Sequence, residues 1–192
     1  MTPEGGSTMQ PEESIVRRAD VEASIREGRH PGHDPARWAL PLIAEADTTA
    51  GGRWRRVALT ADVSWRLWLP PHAGEPCHGD TLALAGGTGA HLDVAVDWLL
   101  RHQARYATAN PTCWARIDAA RRGAIGPLVL ATFPVGDRTG PPAGAVRPSF
   151  IVVDGLHRAL AWGLTARSPA DPTVDGPPPA PPTPLEAFIA GA

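Results

Sequence analysis

The chain contains no lysine: all 18 of its basic residues are arginine. That absence excludes a P-loop lysine, a Schiff-base lysine and a lysine general base in one step. Any phosphate contact then falls to arginine, histidine or backbone N–H groups. Cysteine is almost as scarce. Cys77 and Cys113 stand alone, with no second pair at metal-ligand spacing, so neither a zinc knuckle nor a disulfide framework is expected. Two thiols in a reducing cytoplasm are the plain reading. No apolar run approaches the roughly 20 residues that span a bilayer. The start, Met-Thr-Pro-Glu-Gly-Gly-Ser-Thr, lacks the basic and then apolar character of a signal peptide. Nor does one sign of charge dominate, since 18 basic against 20 acidic residues leave a net charge of -2. No overall field draws the protein to nucleic acid or an anionic membrane. These absences together predict a soluble cytoplasmic protein without a membrane partner.

What is plentiful is glycine and proline, 20 and 22 residues of 192, and they punctuate the chain. The arginine, alanine, glycine and proline bias fits a genome rich in G and C, which points to a bacterial source. The length suits one core, hence a single domain over 13–170, between a flexible polar leader at 1–12 and a proline-rich tail at 171–192. Apolar spacing predicts a helix over 12–27. Residues 54–69 read as one or two strands ended by Pro70 and Pro71, and 81–85 as a short strand closed by Gly86. A helix is expected over 91–106, and a second over 111–122 with Asn110 as its cap, Pro111 at its first position and Gly123 at its end. A strand follows at 126–133, then a loop at 134–148. A strand from Phe150 runs into a helix from about His157 to Leu164. Leu185 to Ile189 is expected to dock back as one helical turn. The tryptophans at 65, 98 and 162 lie in apolar runs and read as core, whereas Trp38 or Trp54 are candidates to line a pocket. Arg53, Arg55 and Arg56 read as a solvated strand start.

The segment Phe-Ile-Val-Val-Asp-Gly-Leu-His-Arg at 150–158 concentrates the chemistry. An apolar strand delivers Asp154, Gly155, His157 and Arg158 to the N-terminus of a helix, whose unpaired N–H groups and positive dipole end favour anions. Gly155 allows close backbone approach. Arg158 offers a planar fork for two phosphate oxygens. His157 can donate to an oxygen or carry a proton near neutral pH. Asp154 repels a bare phosphate, so it suits a general base, a ligand to phosphate-bound Mg²⁺ or a helix cap. The plainer alternative is that Asp154 only caps the helix and pairs with Arg158.

Two other constellations compete. His78-Gly-Asp80 and His91-Leu-Asp93 have the His-x-Asp spacing of a mononuclear metal site, with His157 as the distal histidine. The Gly-Gly-Thr-Gly-Ala-His run at 86–91 offers a second anion cradle or a plain tight turn.

The order helix, Gly123, the strand Gly-Pro-Leu-Val-Leu at 126–130, a loop, and Val-Val-Asp-Gly-Leu-His-Arg before a helix resembles the core of the ParB/sulfiredoxin superfamily. The resemblance covers 112–164. It implies an α+β fold, a small mixed sheet flanked by helices, and a nucleotide-phosphate site at the turn, with Gly155, His157 and Arg158 holding phosphate. Leu156 stands where sulfiredoxins carry their reactive cysteine, which excludes that chemistry. The proline-rich tail replaces the DNA-binding region of partition proteins, so DNA is not an expected partner. Stand-alone members similar to this chain are kinases of free serine. By that resemblance the expected function is nucleotide-dependent phosphotransfer to a small hydroxylated metabolite such as a free amino acid. Asp154 and His157 would be catalytic, and the cofactor ATP or ADP with Mg²⁺. Those kinases also use an upstream acid, for which Glu45, Asp93 and Asp97 are candidates by position. The alternatives are a non-catalytic nucleotide- or anion-binding regulatory module and the His-x-Asp metal enzyme.

Overall fold

A computed structural model describes residues 13–27, 34–72, 79–142, 150–167 and 183–191. Strand β1 (Ser14–Val16) leads into helix α1 (Arg18–Glu27), then α2 (Pro35–Thr49), β2 (Trp54–Leu59), the short α3 (Ala61–Trp65) and β3 (Trp68–Leu69). After a 3-10 turn at Leu84–Gly87 come β4 (Ala90–His91), α4 (Leu92–Ala109), α5 (Pro111–Arg122), β5 (Leu128–Ala131), β6 (Ile151–Asp154), α6 (Leu156–Arg167) and β7 (Leu185–Ala190). The class is α+β, the class that the family resemblance implies.

The seven strands among the described residues form one mixed sheet in the order β1-β2-β7-β5-β6-β3-β4. β7 runs antiparallel to β2 and parallel to β5, β5 is antiparallel to β6, and β6 is parallel to β3. β5 and β6 are buried on both faces, which is why both are unbroken apolar runs rather than alternating ones. Leu128, Leu130 and Val152 face a core shared with α4, α5 and α6. Val129, Ala131 and Val153 face a second core built with α1 and α2. The sheet is therefore the middle of three layers. Across the first core α4 and α6 meet at Gly163, where a Cβ would lie 2.5 Å from Val96 Cγ2, so only glycine permits that approach.

Several expected elements differ. Residues 14–16 pair with β2 instead of opening the first helix. The stretch 54–69 is two strands separated by α3, whose Ser64 hydroxyl and N–H both bond back to the Thr60 carbonyl. Residues 81–85 are not a strand: the N–H of Thr81 bonds to Ala109, Leu82 bonds to Asn110, and the 3-10 turn follows. Leu185–Ala190 is a full strand between β2 and β5, not a helical turn. The domain thus extends past residue 170 to Ala190, while the proline-rich residues 171–182 lie outside the described ones, as does the leader at 1–12. No helix among the described residues is long and apolar enough to cross a membrane.

Trp162 is buried, and Trp65 and Trp98 pack against the same core. Trp54 is buried too, its indole N–H donating to Asp47 at 2.8 Å, whereas Trp38 is 51% exposed beneath the Arg37 guanidinium. Arg55 and Arg56 pair at the surface with Glu13 and Glu186, in keeping with a solvated strand.

Candidate functional site

β6 ends at Asp154 and α6 begins at Leu156, so the whole connection is Gly155. Its φ is +99°, a backbone state L-residues rarely adopt. A Cβ there would stand 2.7 Å from Leu128 Cδ2 and 3.1 Å from both Arg158 Nε and Nη2. Glycine is what lets Arg158 fold back across the turn. Arg158 Nη2 donates to Asp154 Oδ2 at 2.6 Å, and Nη1 donates to the Pro127 carbonyl at 2.5 Å. The two side chains keep 17% and 24% of their surface exposed, so the pair is reachable from solvent. The Asp154–Arg158 pair expected as the plainer alternative is therefore present. The turn brings Asp154, Gly155 and Arg158 together.

His157 belongs to a different group. Its ring stands edge-on to His72, with centroids 5.6 Å apart at 82°. His72 Nε2 lies 3.3 Å from Cys113 Sγ. Ligand atoms of His72, Cys113 and His157 all fall within 4.8 Å of one another. Cys113 is fully buried and the two histidines are half-buried.

Three local arrangements explain why these side chains meet. His72 follows Pro70 and Pro71, and its carbonyl accepts the Leu84 N–H at 2.9 Å, which fixes the loop. Cys113 is the third residue of α5, in a turn anchored by a remote acid: Asp80 Oδ1 accepts the Thr112 N–H at 3.4 Å and Oδ2 the Cys113 N–H at 3.2 Å. Asn110 does not cap α5 with its side chain, as its position predicts; instead it bridges to Leu82, accepting the N–H at 3.0 Å and donating to the carbonyl at 2.9 Å. Asp80 and Asn110 are both buried, and each has its hydrogen bonds in this corner.

Tyr106, in the last turn of α4, points its hydroxyl into the same corner. The side chain is completely buried, and the hydroxyl lies against the Cys113 side chain. Burial above all, then the neighbouring Cys113 and Asp80 side chains, pushes the phenol well above its ordinary range. The hydroxyl stays protonated and remains a donor.

The His-x-Asp expectation fares differently at each position. His78 lies outside the described residues. Asp80 serves α5, the His91 ring lies against the Arg66 carbonyl at 3.2 Å, and Asp93 accepts the Val94 N–H at 2.7 Å. Among the described residues His157 gathers with His72 and Cys113 and not with those pairs. Of the upstream acids, Glu45 accepts the Gly136 N–H at 2.8 Å and Asp97 pairs with Arg167. The 86–91 run forms a tight turn, with three glycines at positive φ and Gly89 against Trp68.

Residues 32–183 match the model of a protein family described as a family of unknown function, DUF6309. The chain belongs to that family. The match spans α2 to α6 and includes His72, Cys113 and the whole Asp154–Arg158 turn. No curated protein and no solved structure matches the chain.

Spacing along the sequence did not single out His72 or Cys113. One signal was available: Asn110-Pro111-Thr112-Cys113 puts a thiol in the first turn of a helix, where the dipole favours a thiolate.

Proposed function

We propose that the β6–α6 turn is the working surface of a nucleotide-dependent phosphotransferase on a ParB/sulfiredoxin-like fold, acting on a small hydroxylated metabolite such as a free amino acid. The observation that carries this reading is the Asp154–Arg158 contact across Gly155 at the start of a 12-residue helix. Arg158 has five N–H donors, and its contacts with Asp154 and Pro127 leave others for phosphate oxygens. The Pro127 carbonyl keeps the guanidinium in place. Phosphate drawn to Arg158 competes with Asp154 for the fork, and binding therefore releases the carboxylate to act.

Asp154 then accepts the proton of the acceptor hydroxyl as its oxygen bonds to the terminal phosphorus and the bond from that phosphorus to the nucleotide oxygen breaks. Backbone N–H groups at the start of α6 face the phosphate. In this reading His157, two residues from Gly155, turns from its group with His72 and Cys113 to orient a phosphoryl oxygen. Asp154 also fits Mg²⁺, which is commonly held by one or two carboxylates plus substrate phosphates. Bound with ATP or ADP, that ion neutralises phosphate charge. Positioning and charge neutralisation do most of the work in such transfers.

Calorimetric titration with ATP, ADP and CTP, with and without Mg²⁺, tests the reading together with two variants. Asp154→Asn should keep nucleotide affinity within about threefold and lower turnover by roughly 10²–10⁴. Arg158→Ala should weaken nucleotide binding by about tenfold or more. Undiminished turnover in Asp154→Asn removes Asp154 from the chemistry. Binding without consumption would leave the non-catalytic nucleotide-binding module.

A further inference from the structure

His72, Cys113 and His157 arrive from three separate parts of the chain: the loop after β3, the first turn of α5 and the first turn of α6. We propose that these three side chains hold a zinc-class divalent transition metal ion, with a fourth position left for water or an oxygen of a small anionic substrate.

The donor set decides the class of metal. Two imidazoles and a thiolate suit zinc or cobalt, whereas magnesium prefers oxygen ligands. Bond lengths of about 2.0 Å to nitrogen and 2.3 Å to sulfur put the ligand atoms of a tetrahedral centre roughly 3.3–3.6 Å apart. His72 Nε2 and Cys113 Sγ already stand at 3.3 Å, and the whole set lies within 4.8 Å. Side-chain rotation closes the rest.

The surroundings fit a bound thiolate. Cys113 lies at the positive end of α5, and Asp80 fixes that turn by accepting the Thr112 and Cys113 N–H groups. The buried Tyr106 hydroxyl lies against Cys113, and a metal-bound thiolate is a stronger acceptor for it than a neutral thiol. Outer contacts of this kind orient ligands and tune the metal. Cys113 seals the inner side while the half-buried histidines leave the outer side accessible. Three protein ligands and an open position are the pattern of catalytic rather than structural zinc. His157 is next in sequence to Arg158, so an anion bound at the turn lies beside the ion's open position.

This inference stands apart from phosphotransfer, because metal binding is read without nucleotide. The test uses the full chain carrying Cys77→Ser, so that Cys113 is its single thiol, stripped with a chelator and titrated with Co²⁺. One Co²⁺ per chain should bind, with a thiolate-to-cobalt charge-transfer band and d–d bands of tetrahedral intensity, and Zn²⁺ should displace it. Cys113→Ser should abolish the charge-transfer band. His72→Ala and His157→Ala should each weaken binding by roughly 100-fold, and Tyr106→Phe by about 10-fold to 100-fold with the band retained. In the chain without ligand substitutions, Zn²⁺ should protect Cys113 from alkylation. Absence of Co²⁺ binding, a band that survives Cys113→Ser, or alkylation unaffected by Zn²⁺ overturns the proposal. Asp154→Asn separates the two readings: it should keep the cobalt spectrum whatever happens to phosphate transfer.

Discussion

Gly155 sets the geometry on which everything at the turn depends. Substitution by alanine forces a methyl group to within 2.7 Å of Leu128 Cδ2 while holding φ at +99°. Left-handed strain and overpacking together cost about 2–4 kcal/mol. In a chain of this size that lowers the melting temperature by roughly 4–16 °C. Calorimetry should show the drop. An unchanged melting temperature would mean that the turn relaxes freely and that Gly155 does not hold Arg158 in place. The same contact links stability to function, because the Arg158 Nε and Nη2 atoms lie 3.1 Å from the added carbon. The guanidinium would have to leave Asp154 or the Pro127 carbonyl to make room. Tyr106 and Asp80 show the opposite economy: their polar atoms are buried at some cost in a corner whose hydrogen bonds hold Cys113 still.

Helix α1 shows how an element can be secured by its own side chains. Glu22 accepts from Arg18 Nε at 2.6 Å and from Arg26 Nη2 at 3.0 Å, one pair on each side along the helix. The Arg18 hydrogen bond, opposed by partial burial and aided by Arg26, holds its carboxyl below the ordinary value of 4.5. A carboxyl lowered on folding stabilises above its unfolded pKa, and that stability is lost as pH falls through the folded value. Glu22→Gln should therefore cost about 0.5–1 kcal/mol at neutral pH for its two pairs. In urea unfolding followed across pH, the difference from the parent should begin to shrink as the pH falls below 4.5 and close only below the lowered folded value; a constant difference at all pH values would locate the effect in packing instead. Elements whose cues are local were legible in the sequence. Helix 111–122 has proline at its first position and glycine at its end, and the strand–turn–helix at 150–164 needs only its own residues. Elements defined by distant partners were not. Leu185–Ala190 is a strand only because β2 and β5 lie ready on either side. The turn chemistry was legible for the same reason, being contiguous, whereas His72 and Cys113 stand 41 residues apart and meet only through the fold.

The last described strand, β7, lies inside the sheet between β2 and β5, and this governs the whole molecule. β7 pairs with all six residues of β2 and with four of β5. Leu185, Ala187 and Ile189 belong to the core with α4 to α6, while Phe188 and Ala190 belong to the core with α1 and α2. Neither core closes without it. β2 must wait for a partner about 130 residues further along, as the Arg56–Glu186 pair illustrates, and such distant pairing carries a loop-closure cost before any contact repays it. The half of the sheet with β5, β6 and α6, which carries Asp154 and His157, is joined to β2 only through β7. A chain ending at Pro182 should consequently lose the site together with the fold. Both β2 and β5 would be left with unpaired edges flanked by bare apolar surface, the arrangement that promotes aggregation. The expected outcome is loss of the cooperative urea transition and of the near-ultraviolet signal of the buried tryptophans, with Co²⁺ binding lost in parallel. A truncated chain that kept a cooperative transition at the parent's midpoint would show that the two halves are held together across the helical layers, with β7 only an addition to a sheet already formed.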